Sequence, residues 1–100
     1  VEGYVTMLKT LSSKTDAEIY YMTVNPVKDA TCQSVGYNVS NADIDTFNQD
    51  IINALTGTDI KVIDTYSFLI KDGFISYDGL HYDEETTLKI YQYIKVSLNN

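Results

Sequence analysis

The feature that most constrains the fold of this chain is an apolar run at residues 19–24 that stops at Asn25 and Pro26. The run reads Ile-Tyr-Tyr-Met-Thr-Val, so it is rich in β-favouring residues and shows no strict alternation of polar and apolar positions. Such a strand is typical of a parallel sheet covered on both faces. Because proline lacks the backbone N–H that a central strand donates, the strand is predicted to stop there.

Helical periodicity lies on both sides of this strand. Apolar residues recur at three- and four-residue spacing over residues 2–13 and again over residues 44–55, which predicts two amphipathic helices. Residues 27–40 are polar and are predicted to be irregular. Ser40 or Asn41 is predicted to cap the second helix, because their side chains can accept a bond from its free backbone N–H groups.

The second half of the chain continues the same alternation. Residues 60–64 predict another short strand, residues 65–82 predict a mixed segment that ends in a loop, and Asp83 is a candidate N-cap for a terminal helix. The apolar stripe of that helix consists of Leu88, Tyr91, Ile94 and Leu98. This order predicts an α/β fold with parallel strands. Since two strands make a poor sheet, its remainder is expected from residues outside this sequence or from another chain.

Composition excludes several classes of function. The net charge is −7 and all seven basic residues are lysines, so the chain repels polyanions and lacks the guanidinium fork that suits phosphate. We therefore expect no nucleic-acid partner. No apolar run approaches the ~20 residues of a membrane span. With one cysteine, Cys32, and one histidine, the chain cannot build a Cys/His zinc cage, and neither a metal nor a cofactor is predicted.

The stretch Asp78-Gly79-Leu80-His81 holds the only histidine in the chain, three residues after a carboxylate. Asp78 can accept a hydrogen bond from one imidazole nitrogen of His81, which leaves the other nitrogen free to take a proton from a nucleophile. Gly79 permits the tight turn that lets the two side chains meet. The alternative is a surface histidine beside an incidental aspartate, because this short pattern has many accidental matches.

The position of this loop also favours a functional site. In an open parallel sheet, function gathers beyond the carboxyl ends of the strands. Residues 25–27 and 64–66 follow the two predicted strands directly, and residues 78–81 can fold back over the same edge. We therefore expect these three segments to lie together.

The motif, with the capped amphipathic helix that follows it, resembles the last conserved block of the SGNH (GDSL-type) hydrolases. In that family an Asp-x-x-His near the C-terminus supplies two members of a Ser-His-Asp triad, which here implies Asp78 as orienting acid and His81 as general base. Residues 74–77 also resemble the approach to this block in bacterial members. The element order is similar to the second half of the family's flavodoxin-like fold. The resemblance implies that residues 1–100 are a partial domain, the C-terminal part of a three-layer α/β fold.

The chain also departs from the family pattern. It contains no Gly-Asp-Ser block for the nucleophile, and the middle blocks that supply the oxyanion glycine and asparagine are missing, so none of its serines is nominated. The resemblance implies a small ester substrate, an acylated carbohydrate or lipid. It also implies a partner, the remaining N-terminal half of the domain, without which this chain is expected to be inactive. The rival interpretation is a non-catalytic α/β interaction or carbohydrate-binding module, with Tyr82 as its best stacking residue.

Overall fold

The computed structural model of the chain describes residues 2–99. In this range it contains five helices and two strands, and no helix is both long and apolar enough to cross a membrane. In chain order the elements are α1 Glu2–Ser13, β1 Tyr20–Met22, α2 Asp29–Ser34, α3 Asn41–Ala54, β2 Lys61–Ile63, α4 Thr65–Asp72 and α5 Glu84–Leu98.

The predicted three-layer, flavodoxin-like α/β fold is wrong. Helices make up 56% of the structure, and the only sheet in residues 2–99 has two parallel strands of three residues each. The strands pair Tyr20 with Lys61 and Met22 with Ile63. Two such short strands do not form a layer of their own, because a stable sheet needs three or more strands or extensive packing against helices.

The first strand is shorter than predicted because a side chain replaces the next strand neighbour. At Val24 the backbone N–H donates to the side-chain Oδ1 of Asn48 at 2.8 Å, and Asn48 Nδ2 donates to the Val24 carbonyl at 2.9 Å. The Val24 backbone therefore bonds to a helix side chain and not to a strand. Asn41, one residue into the same helix, makes the same pair of bonds to Val27 at 2.7 and 2.8 Å.

The helix predictions are largely confirmed. α1 matches the predicted helix over residues 2–13, and α3 begins after Ser40, whose hydroxyl accepts a bond from Asp43 N–H at 3.3 Å. Asp83 caps α5 by accepting from Thr86 N–H at 2.8 Å. α2, of six residues, lies inside the segment that was predicted to be irregular, because its Asp, Thr and Cys residues have low helix propensity.

Two apolar clusters hold these elements together. The first joins α1, β1 and α3 around Ile51 and Tyr21, which are 0% and 4% exposed. The second is smaller and lies at the carboxyl ends of the strands, where Val27, Cys32 and Ile44 pack together with Leu80 against them. The second cluster supports the loop that carries the histidine.

The predicted apolar stripe of α5 is largely exposed. Leu88, Tyr91 and Leu98 are 54%, 60% and 49% exposed. The helix packs through another face, on which the Tyr93 ring stacks on Phe68 of α4 with centroids 4.3 Å apart. The stripe was predicted from its spacing alone, and spacing does not say which apolar face finds a partner within residues 2–99.

Candidate functional site

Three segments meet at the carboxyl ends of the strands, as predicted. The hydroxyl of Thr65 donates to the side-chain oxygen of Asn25, which joins the two strand exits. The third segment, residues 76–82, is called here the histidine loop. It joins the others because Lys28 N–H donates to the carbonyl of Gly79 at 3.0 Å.

The Asp78 and His81 side chains are in direct contact within the histidine loop. Asp78 Oδ2 lies 2.5 Å from His81 Nδ1, well inside hydrogen-bond reach. The other carboxylate oxygen, Oδ1, accepts the backbone N–H groups of Leu80 and His81 at 2.9 and 2.8 Å. One carboxylate therefore shapes the turn and holds the imidazole at the same time.

These bonds also fix the charge of the carboxylate. The backbone N–H of His81 lowers the pKa of Asp78 well below its usual range, with further lowering by the His81 ring and the Leu80 N–H. Asp78 is therefore ionised at neutral pH, and an ionised carboxylate accepts a bond from Nδ1–H of the imidazole. That bond selects the tautomer whose Nε2 carries a lone pair, which is the form a general base requires.

The imidazole of His81 is open to solvent. Its side chain is 81% exposed, while that of Asp78 is 35% exposed. Among residues 2–99 no group bonds to Nε2, so this nitrogen has no hydrogen-bond partner within the described chain. No serine hydroxyl of the described chain supplies that proton. The nearest serine in sequence, Ser76, donates to the His81 carbonyl at 2.6 Å and accepts from Gly79 N–H at 2.9 Å.

Gly79 packs tightly on Cys32 of α2. Its backbone has φ of +93°, and a Cβ at this position would lie 2.7 Å from both the backbone N and the Sγ of Cys32. Only glycine fits this conformation and this spacing. Burial raises the pKa of the Cys32 thiol, so the group stays protonated and acts as a surface for the loop and not as a nucleophile.

Tyr82 attaches the other end of the histidine loop. Its hydroxyl donates to the carbonyl of Pro26, and its ring meets Phe74 edge-on with centroids 5.5 Å apart. Burial raises the pKa of Tyr82 to about 12. These contacts involve both the ring and the hydroxyl of the tyrosine that the rival interpretation assigned to ligand stacking. Tyr91, 60% exposed, offers a more open ring.

Sequence reasoning placed Thr65 at this edge but did not predict the buried polar cluster that positions these segments. Thr23, Asn48 and Thr65, called here the strand-exit cluster, are each 2% exposed or less. Asn48 accepts from the Tyr21 hydroxyl at 3.1 Å and bonds the Val24 backbone. A signal was present, because Asn48 falls on the same helical stripe as the apolar core residues of α3.

No protein-family model, no curated protein and no solved structure matches this chain. The SGNH resemblance therefore rests on the motif from Asp78 to His81 and its flanks. Within residues 2–99, no group of three His, Cys, Asp or Glu side chains is placed to hold a metal ion. What the site offers chemically is one oriented imidazole with a free nitrogen.

Proposed function

We propose that His81 and Asp78 are the general base and the orienting acid of a serine ester hydrolase of the SGNH (GDSL) type. The observation that carries this proposal is the 2.5 Å contact between Asp78 Oδ2 and His81 Nδ1, with the imidazole otherwise open to solvent. A carboxylate, an imidazole and a free Nε2 in that order are the base half of a triad. This proposal concerns the catalytic chemistry of the family and does not include its three-layer fold.

The proposed reaction is acyl transfer in two halves. Nε2 of His81 takes the proton of a serine hydroxyl while the serine oxygen bonds to the ester carbonyl carbon, and the same proton then passes to the departing alcohol. Water attacks the acyl-enzyme in the second half, gives its proton to Nε2, and the serine leaves with that proton restored. Asp78 stays ionised throughout and stabilises the imidazolium that forms in each half.

The serine and the oxyanion donors are proposed to come from an N-terminal half of the domain that packs on the exposed apolar faces. The chain exposes 6595 Å², whereas a folded monomer of 11.3 kDa exposes about 5,700 Å². The excess of roughly 900 Å² matches one side of a standard interface, about 800 Å² per partner. The exposed apolar residues of the chain include Met22 and Val24 at the strand exit and Leu88 and Tyr91 on α5.

The proposed substrate is a small neutral ester, an acylated carbohydrate or lipid. The chain has a net charge of −7 and no arginine, so it offers no fork for a phosphate or carboxylate and repels anions at a distance. A neutral acyl ester meets neither obstacle.

The test uses the polypeptide whose reading frame contains residues 1–100 together with the segment encoded upstream of Val1. We expect that segment to hold a Gly-Asp-Ser block, and the polypeptide to hydrolyse p-nitrophenyl acetate and to react with a fluorophosphonate probe at that serine. Asp78→Asn lowers turnover by about 10⁴-fold because the base loses its tautomer, and His81→Ala lowers it by about 10⁶-fold because the serine loses its base.

Two exposed positions supply the matched controls. Tyr77 is 82% exposed in the same loop, and Asp59 is an exposed carboxylate far from it in sequence. Tyr77→Phe and Asp59→Asn leave turnover within about twofold, since surface changes of this kind rarely exceed about 0.5 kcal/mol. An upstream segment without the serine block, or unchanged hydrolysis in His81→Ala, would refute the assignment.

A carbohydrate-binding module is the second candidate, favoured by one groove. Tyr82, Glu84, Thr87, Leu88 and Tyr91 line an open groove of about 370 Å³ on α5. An exposed phenol ring with a carboxylate and a hydroxyl beside it suits a sugar ring. The N-terminal half and a sugar cannot both cover this face. If this groove binds a neutral oligosaccharide, adding the oligosaccharide to residues 1–100 shifts NMR resonances around Tyr91. These shifts are absent in Tyr91→Ala.

A further inference from the structure

The histidine loop is attached to the rest of the molecule on both sides of the imidazole, through Gly79 and Leu80 before it and through Tyr82 after it. On the N-terminal side Gly79 packs against Cys32, and its carbonyl accepts from Lys28 N–H at 3.0 Å. On the C-terminal side Tyr82 bonds to the Pro26 carbonyl. His81 lies between these points, directly before Tyr82.

The attachments on the two sides differ in what they determine. The packing of Gly79 places the start of the turn, where Asp78 is held by the N–H groups that follow it. The bond of Tyr82 acts on the residue next to the imidazole, across 56 residues of sequence, and so ties the loop to the exit of β1. A shift at Tyr82 is therefore expected to move His81 relative to Asp78.

The hydroxyl bond and the ring contact of Tyr82 can be separated. The ring packs edge-on against Phe74, over which Lys28 Nζ lies 4.1 Å from the centroid. This stack supplies apolar burial and a cation–π contact, neither of which has a strict direction. The hydroxyl bond has both a direction and a length, so it is the contact that specifies position.

We infer that Tyr82 is a positioning residue for the Asp78–His81 pair, and that its hydroxyl bond to Pro26 sets the position from which the loop presents the imidazole. This rests on the proposed function for its catalytic meaning. The contact geometry of the pair can be measured without any activity, so the two claims fail separately.

The first experiment compares Tyr82→Phe with the parent chain of residues 1–100 and with Tyr77→Phe as the matched control. Long-range ¹H–¹⁵N spectra report the tautomer and hydrogen bonding of the single histidine. The Tyr82→Phe resonances of His81 are expected to move at least about half-way from the parent values to those of Asp78→Asn, since the loop then loses its attachment to Pro26 directly after the imidazole. Tyr77→Phe resonances stay at the parent values.

A second variant keeps the inference testable if Tyr82→Phe does not fold. Phe74→Leu removes the edge contact but retains the hydroxyl, so the His81 resonances are expected to stay at the parent values while the melting temperature falls. His81 resonances that stay with the parent in Tyr82→Phe, or that move in Phe74→Leu as far as in Asp78→Asn, overturn the inference.

Kinetics of the longer polypeptide connect the position to the reaction. Tyr82→Phe is expected to lower kcat between about 10-fold and 100-fold, with KM changed by less than about twofold, because a misplaced base acts on the chemical step and not on binding. If no ester is cleaved but the His81 resonances move as expected, the positioning role stands and the hydrolase assignment falls. If esters are cleaved and Tyr82→Phe changes neither readout, only the positioning role falls.

Discussion

The strand-exit cluster and the histidine loop are both rich in hydrogen bonds, but only the histidine loop has a polar group without a hydrogen-bond partner in the described chain. Thr23, Asn48 and Thr65 are fully buried, and no buried side-chain nitrogen or oxygen in residues 2–99 lacks a partner. In the histidine loop, both carboxylate oxygens of Asp78 accept hydrogen bonds, yet His81 keeps a solvent-exposed nitrogen. A polar side chain with all its bonds used completes the fold, whereas one with a free nitrogen can act on a substrate.

The strongest way to break the strand-exit cluster is Asn48→Ala. This change leaves the Val24 N–H, the Val24 carbonyl and the Tyr21 hydroxyl without a partner. The Tyr21 hydroxyl is buried and the Val24 backbone bonds are partly buried. Since an unsatisfied buried group costs about 1–3 kcal/mol, we expect the free energy of unfolding to fall by about 2–3 kcal/mol. Since the free energy of unfolding of a small domain is about 5–15 kcal/mol in total, the Asn48→Ala variant loses a large part of its stability. Urea denaturation followed by circular dichroism measures this.

Asn53 in the same helix is the matched control, because it is exposed. Asn53→Ala is expected to change the free energy of unfolding by less than about 0.5 kcal/mol. A loss in Asn48→Ala no greater than in this control would show that the cluster is not what joins α3 to the exit of β1.

Gly79→Ala tests the packing of the histidine loop on Cys32, with Gly57→Ala as the matched control. Both glycines have positive φ, +93° and +84°, but a Cβ at Gly57 meets nothing within 4 Å. Each variant therefore loses about 1–2 kcal/mol to the strained backbone, and Gly79→Ala loses a further 1–3 kcal/mol, about what overpacking costs. Equal melting temperatures for the two variants would mean that the loop moves to accommodate the added methyl group, and that packing on Cys32 does not fix its position.

The sequence predicted local elements better than their assembly. Caps and helical stripes are short-range patterns, so α1, α3, α5 and the N-cap role of Asp83 followed from the residues, and Ser40 was one of the two candidate caps of α3. The architecture did not follow from the sequence. An apolar run such as residues 19–24 predicts that a strand is buried, but it does not predict which elements pack against that strand. Asn48 ended that strand through a contact 24 residues away.

The candidate site divides in the same way. Asp78 and His81 are three residues apart, so a tight turn at Gly79 sufficed to predict their contact, and the structure places the two side chains at 2.5 Å. Tyr82 was assigned a different role because its bond to Pro26 spans 56 residues, and no local pattern encodes such a distance. Their catalytic roles stay predictions, since contact geometry does not by itself establish a reaction.

The smallest expected effect is the pH dependence of stability in Asp78→Asn, which tests whether Asp78 acts as a charged hydrogen-bond acceptor. Its pKa is lowered in the folded chain, first by the His81 backbone N–H, so the folded state binds fewer protons than the unfolded state near the ordinary aspartate pKa of about 3.9. This stabilisation is complete above that pKa and is lost as the pH falls towards the lowered value. Asp78→Asn keeps an oxygen for the backbone bonds but removes the charge.

The melting temperature of Asp78→Asn should therefore lie below that of the parent at neutral pH, and the gap should narrow once the pH drops below about 4. Asp59→Asn, at an exposed position, corrects for the change in net charge. A gap that persists unchanged into acid would mean that Asp78 acts only as a neutral acceptor for the turn. The imidazole would then lack the charged partner that distinguishes the histidine loop from the strand-exit cluster.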